Sequence, residues 1–240
     1  MIRVKSFYAY NELRNFSYLL YEDTTGDAWI IDPYEAAPII QYIKKHSLSL
    51  QGILNTHRHH DHIRGNAPLM AAFDSRVMHF QNGVALSLDS RSILEVIDSP
   101  GHTLDHQVFV LKDPGKAPCL FSGDTLFNAG VGNCKNGGNV GLLFSTTKKL
   151  MEILPLETVL YPGHDYLQKN LEFSLSVEPE NARARERLRE VQDEDVNNRR
   201  ASTLGEEMRV NPFLRLGAID DMKSDEREIF QQLRLKRDVW

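Results

Sequence analysis

The stretch that most constrains this chain is Thr56-His57-Arg58-His59-His60-Asp61-His62, directly after the strand-like pair Ile53-Leu54. Its residues His57, His59, Asp61 and His62 place three imidazoles and a carboxylate within six positions, close enough for the chain to wrap a metal ion. A histidine-rich surface loop is the alternative, but nine histidines spread over 240 residues rarely fall at this spacing by chance. Four further features repeat one pattern, a short apolar run followed by a polar residue beside Gly or Pro. They are Asp32-Pro33 after residues 29–31, Pro100-Gly101-His102 after 94–97, Gly123-Asp124 after 119–121, and Pro162-Gly163-His164 after 159–161. Any one of these reads most simply as a turn. Together they should sit where strand ends converge at one edge of a sheet, and they supply enough nitrogen and oxygen donors for two metals.

The apolar runs that precede these residues, with 16–21, 53–54 and 108–111, are rich in β-branched and aromatic side chains and predict strands. Between them, 36–46, 66–73 and 141–154 predict helices, so the class is α/β or α+β with layered sheets. The character changes after about residue 165. Residues 166–240 hold 14 of the 28 Lys+Arg and 16 of the 33 Asp+Glu, with no strand-like alternation. Helices are expected there at 167–177, 181–196 and 225–237. Ser224 would cap the last of them, with Asp225 and Glu226 in its first turn and Lys236 and Arg237 in its last. The expected division is a metal-binding catalytic domain over 1–165 and a helical domain over 166–240.

Charge and hydropathy then exclude some roles. A net charge of -5 argues against a nucleic-acid partner, which would call for a basic face. No run approaches the roughly 18 apolar residues of a membrane span, and residues 1–21 mix charges among their apolar positions, unlike a secretory leader. Cys119 and Cys134 make no disulfide framework. A cytoplasmic protein is expected, with its oligomeric state left open.

The H-x-H-x-D-H signature followed by a separate His, Asp and His resembles the metallo-β-lactamase superfamily. Within it, the chain is similar to glyoxalase II, the hydroxyacylglutathione hydrolases, over nearly its whole length. The superfamily is carried by Thr56 to Asn66, Gly101-His102-Thr103 and Tyr161-Pro162-Gly163-His164-Asp165-Tyr166, alongside Gly123-Asp124-Thr125-Leu126-Phe127. More specific to glyoxalase II are Thr203-Leu204-Gly205-Glu206-Glu207, Asn211-Pro212-Phe213-Leu214-Arg215 and the tail from Arg234 to Asp238. The resemblance implies an α+β fold, the αββα sandwich, with a C-terminal all-helical substrate-binding domain. It implies that His57, His59 and His102 hold one metal, that Asp61, His62 and His164 hold another, and that Asp124 bridges them. The donor set contains no thiolate to favour zinc alone, so iron or manganese stays open beside zinc, which is named first.

The implied reaction is hydrolysis of S-(2-hydroxyacyl)glutathione to glutathione and a 2-hydroxy acid by a hydroxide shared by the two metals, with Asp61 and Asp124 as the catalytic carboxylates. A thioester suits this equipment because a thiol with pKa near ~8.5 leaves as thiolate with little need of a general acid. Asp32, Thr56 and His106 are candidates for orienting the imidazoles, as against simple turn and packing roles. Glutathione carries two carboxylates, and the resemblance points to Tyr166, Arg234 and Arg237 as its contacts. Position in the chain alone would read the two arginines as a solvated helix end.

The chain departs from the family after Gly-Asp-Thr-Leu-Phe. A basic residue and a tyrosine of the family pattern are replaced by Asn133 and Lys135, with Cys134 between them as a packing residue. Lys135 is a further candidate for a substrate carboxylate. Three alternatives stand beside the hydrolase: an iron-dependent glutathione persulfide dioxygenase using His57, His102 and Asp124, a hydrolase of another thioester or a lactone, and a metal-binding module without catalysis.

Overall fold

In the computed structural model, which describes residues 1–192, 194–219 and 225–240, side-chain alternation decides the layering. Strand β1 (Ile2–Tyr8) pairs with β2 (Phe16–Glu22), β2 with β3 (Asp27–Ile31), and β3 with β4 (Ser49–Leu54), giving the sheet order β1-β2-β3-β4. Only β3 and β4 run parallel, and helix α1 (Ala36–Lys45) is the crossover that a parallel pair requires. Tyr18 and Leu20 of β2, with Trp29 and Ile31 of β3, point to one side. Leu19, Ala28 and Ile30 point to the other, where Ile39 and Ile43 of α1 cover them. After the short α2 (His60–Ile63), α3 (Asn66–Phe73) adds Leu69 to the same cover.

The second sheet joins β5 (Ala85–Ser87), β6 (Ile93–Asp98), β7 (Gln107–Lys112) and β8 (Cys119–Gly123) antiparallel. A small hairpin follows, β9 (Leu126–Phe127) with β10 (Gly130–Val131). Helix α4 (Val140–Ile153) then crosses back to β11 (Val159–Pro162), which pairs parallel with β8. One face of this sheet gives Leu94, Val96, Phe109, Leu111 and Phe121 to the core between the sheets. Its other face gives Val108, Val110, Leu120 and Leu160 to a core shared with Leu143 and Leu150 of α4. Each such Leu, Ile or Phe contributes about 1.5–3 kcal/mol on full burial. The result is the expected α+β sandwich of two sheets between two helical layers.

The chain after β11 is helical: α5 (Leu167–Val177), α6 (Ala182–Gln192), α7 (Leu204–Val210), a 3-10 turn at Pro212–Leu214, α8 (Leu216–Ile219) and α9 (Glu226–Val239). Phe173, Phe213, Phe230 and Leu233 join the outer core of the second sheet. Helix α6 is shorter than the expected 181–196, and 194–196 are not helical. There Asp195 accepts the backbone N–H of Asn197 at 2.8 Å, a local turn that competes with the helix. Ser224 lies outside the described residues; Asp225 caps α9, accepting from Arg227 N at 3.4 Å. Strand β1 had no apolar run to announce it because, at the sheet edge, most of its residues stay partly exposed.

Candidate metal centre and substrate cavity

The strand ends converge as the pattern of turns required. His57, His59 and His102 form one cluster whose ring nitrogens approach closely: His59 Nδ1 lies 2.9 Å from Nε2 of both His57 and His102. Asp61, His62 and His164 form a second, with the two Nε2 atoms 3.2 Å apart and Asp61 Oδ2 3.4 Å from each. Asp124 stands between them. Its Oδ1 is 3.4 Å from His62 Nε2 and 3.3 Å from His164 Nε2, and its Oδ2 is 3.4 Å from His102 Nε2. His57, His62 and Asp124 also group together, so the clusters are contiguous.

The outward sides of these rings explain why the inward sides face each other. His62 Nδ1 donates to Asp32 Oδ2 at 2.9 Å, His102 Nδ1 to the Asn133 carbonyl at 2.6 Å, and His164 Nδ1 to the Leu13 carbonyl at 2.7 Å. Thr56 donates its hydroxyl to Asp32 Oδ2 at 2.6 Å, which leaves its oxygen to accept from His57 Nδ1 at 3.0 Å. A neutral imidazole has a single N–H, and each of these four spends it outward. What converges inside is a set of lone pairs and carboxylate oxygens, with Asp124 Oδ1 buried and without a hydrogen-bond partner. Such an arrangement is repulsive without a cation between its members, so the residues fit divalent metals.

The electrostatics agree. Burial pushes His57, His102 and His106 down, keeping them neutral as ligands or acceptors must be. Burial also acts to lower His62, but Asp124, Asp32 and Asp61 around it win and raise it to about 9. With no cation bound, His62 itself takes up the positive charge that the three carboxylates call for, and it is the neutral form that would ligate a metal. Asp124 is held ionised despite burial by His164 and His62. His106 accepts the backbone N–H of Asp124 through Nε2 at 3.1 Å, with Ser99 Oγ 2.8 Å from its Nδ1. Asp32, Thr56 and His106 thus lie against the cluster members.

Two glycines make the approach of the loops feasible. Gly123 adopts φ 48, and a Cβ on it would come 2.4 Å from Thr56 Oγ1. A Cβ on Gly163 would lie 2.5 Å from Asp124 Oδ1.

Beside the centre, a cavity of about 270 Å³ is lined by Lys135, Tyr166, Arg234 and Arg237, together with Asn133 and Asn170. The tail is not a solvated helix end: Arg234 is 5% exposed and Arg237 is half-buried. Arg234 Nη1 donates to the carbonyls of Val131 (2.9 Å) and Gly132 (3.2 Å), and its Nη2 to Asp238 at 2.9 Å, so it ties α9 to the loop after β10. Arg237 reaches Asn170 Oδ1 at 3.3 Å. Lys135 Nζ donates to the Asp238 carbonyl at 3.0 Å, and Tyr166 stacks parallel on His164 at 5.0 Å. Cys134 packs against the outer core, where burial pushes its thiol up to about 11.

Sequence reasoning missed Asn15, which donates through Nδ2 to Asp61 Oδ2 at 2.9 Å. Its one visible signal is a polar residue directly before the apolar run at 16–21. The carbonyls of Leu13 and Asn133 carry no side-chain signal.

Comparison with known proteins places this geometry. The family model described as metallo-beta-lactamase superfamily matches residues 11–95, and that described as hydroxyacylglutathione hydrolase C-terminus matches 165–240. A hydroxyacylglutathione hydrolase of Polaromonas sp. is 37% identical, covering 96% of this chain and 97% of its own. One from Nitrosococcus oceani is 34% identical over 99% of both. Among solved structures, ETHE1 from Myxococcus xanthus shares the fold with TM-score 0.72 at 23% identity, covering 97% of this chain and 90% of that one. TTHA1623 in a di-iron-bound form aligns with TM-score 0.63 at 25% identity, over 88% of this chain and 100% of its own. The chain belongs to the hydroxyacylglutathione hydrolase family of the metallo-beta-lactamase superfamily.

Proposed function

We propose that this protein hydrolyses S-(2-hydroxyacyl)glutathione thioesters, of the S-lactoylglutathione type, to glutathione and a 2-hydroxy acid. The observation that carries this reading is the pair of clusters sharing Asp124 beside a cavity lined by Lys135, Arg234 and Arg237. His57, His59 and His102 would hold one divalent cation and Asp61, His62 and His164 the other, with Asp124 between them. When bound, the cations supply a water acidified from about 15.7 towards about 7 and a Lewis acid for the acyl oxygen.

The protein's own groups do the rest. Asp32, Thr56 and the Asn133 carbonyl fix the imidazoles so that no reorganisation is needed as charge develops. Asp61 orients the attacking water by accepting its hydrogen. Lys135 and Arg237 meet the glutathione carboxylates while Arg234 holds the wall of the cavity in place, and Tyr166 holds the thiol-bearing end beside His164. Water oxygen adds to the acyl carbon as one of its protons passes to solvent, the C–S bond breaks, and sulfur departs with the electron pair as glutathione thiolate, leaving the 2-hydroxy acid. In this reading residues 1–165 carry the chemistry and 166–240 most of the recognition.

Zinc stands first among the cations, with iron or manganese compatible with an all nitrogen and oxygen donor set. The fold likeness to TTHA1623 in its di-iron-bound form supports keeping iron in view. No helix of the described residues is long and apolar enough to cross a membrane. A cytoplasmic setting without nucleic-acid or membrane partners is supported by two unpaired cysteines, net charge -5 and the cytoplasmic relative from Arabidopsis thaliana.

Thiol release from S-lactoylglutathione by the metal-loaded protein tests the proposal, beside His59→Ala and a thioester lacking glutathione. Turnover that needs glutathione and disappears in His59→Ala is expected. Turnover confined to the other thioester would remove glutathione from the assignment.

A further inference from the structure

The two clusters are held from different parts of the chain. Behind the first, His102 leans on the Asn133 carbonyl, and His59 Nε2 lies 3.4 Å from the Asn136 carbonyl, both in the loop after β10. Behind the second, His62 leans on Asp32, but the other two members rest on the turn between β1 and β2. His164 donates to the Leu13 carbonyl at 2.7 Å, and Asp61 accepts from Asn15 Nδ2 at 2.9 Å. The same turn takes the Asp165 N–H on the Arg14 carbonyl at 2.9 Å, and Asn15 pairs with His164 as an isolated antiparallel bridge.

Asn15 is 1% exposed and its amide cannot turn freely. Its Oδ1 accepts from Asn11 Nδ2 at 2.8 Å, and its backbone N–H donates to Asn11 Oδ1 at 3.1 Å. The remaining amide hydrogens therefore point at Asp61, whose Oδ2 is the atom facing both His62 and His164. A neutral donor in that place fixes which lone pair of the carboxylate is turned inward.

We propose that Asn15 is a positioning residue for the second cluster, and that the turn carrying it sets how tightly the second cation is kept, independently of the first. This rests on the two-metal reading above.

Titration of the stripped full-length protein with Zn²⁺ against a chromophoric chelator tests it. Wild type is expected to take up about two ions per chain. Asn15→Ala should keep one ion at wild-type affinity and bind the other about 10- to 100-fold more weakly. His59→Ala should weaken the opposite ion, and the double variant both. Asn15→Asp keeps the size and the acceptor for Asn11 but sets a second carboxylate against Asp61, so it should weaken the same ion at least as much. Wild-type affinity for both ions in the two Asn15 variants, or equal weakening of both ions, overturns the proposal. Asn11→Ala, which removes the partner that orients the Asn15 amide, should weaken the same ion and spare the other; weakening confined to the opposite ion also overturns the proposal. A wild-type protein that binds no metal would instead remove the two-metal reading itself, and the inference with it.

Discussion

His62 Nδ1 and Asp32 Oδ2 are joined by a 2.9 Å hydrogen bond across 30 positions of sequence, and the same carboxylate accepts both the backbone N–H (2.7 Å) and the hydroxyl (2.6 Å) of Thr56. Asp32 reaches both from a left-handed backbone with φ 48, a conformation Asp tolerates better than most residues. Asp32→Ala would free His62 and Thr56 together. Metal affinity should fall about 10- to 100-fold, read by chelator competition, while Asp32→Asn keeps one acceptor and should lose less.

Gly163→Ala should be severe for a change of one methyl group. The added carbon would meet Asp124 Oδ1 at 2.5 Å and His62 Cε1 at 2.9 Å, both inside contact distance. Moving Asp124 by a few tenths of an ångström disturbs both clusters at once, so kcat should drop about 100-fold or more. Far-ultraviolet circular dichroism close to wild type would place the damage at the centre; wild-type kcat would show that the loop yields freely.

Both cysteines should resist alkylation. Burial pushes Cys134 and Cys119 each up to about 11 from the usual 9. At pH 8 the thiolate fraction is then about 100-fold below that of the unfolded chain, and iodoacetamide labelling should slow in proportion. The sign for stability follows: with folded values above the unfolded ones, the contribution is complete below about pH 9 and is lost as pH rises through about 11. Rapid labelling of the native protein at pH 8 would contradict the burial.

Arg234 and Arg237, adjacent on α9, should separate in their effects. Arg237 lines the cavity over the rings of Phe173 and Trp240 with one long hydrogen bond among the described residues, to Asn170, so Arg237→Ala should raise KM for the glutathione thioester about tenfold with kcat nearly kept. Arg234→Ala would leave two buried carbonyls without their donor and cost about 2–3 kcal/mol, visible as a lower melting temperature. Equal KM effects with unchanged melting in both would mean that Arg234 also meets the substrate.

The residues that cluster here were legible because strand ends bring them together: His57, His59, Asp61 and His62 crowd into one segment after β4, and His102, Asp124 and His164 each follow an apolar run directly after a Gly. The layering was legible for the same reason, since runs such as 108–111 are buried on both faces. Helix boundaries failed where local side-chain turns competed, as Asp195 does after α6. Lys135 was read toward a substrate, yet its ammonium also grips the end of α9, a contact that depends on how distant segments dock. Asn15 and the Leu13 carbonyl were invisible because their importance comes from meeting residues 46 and 151 positions away.

The outer core of the second sheet, where Val108, Val110 and Leu120 meet Phe173, Phe213 and Phe230, belongs to neither half of the chain alone. The shift in charge density near residue 165 therefore marks a change of surface, since one-sided covering helices expose more polar residues than strands buried on both faces. Heat should melt the protein as one cooperative unit. A fragment ending at residue 165 would keep the cover of α4 but expose the apolar surface that Phe173, Phe213 and Phe230 complete, and should aggregate before it could be asked to bind anything.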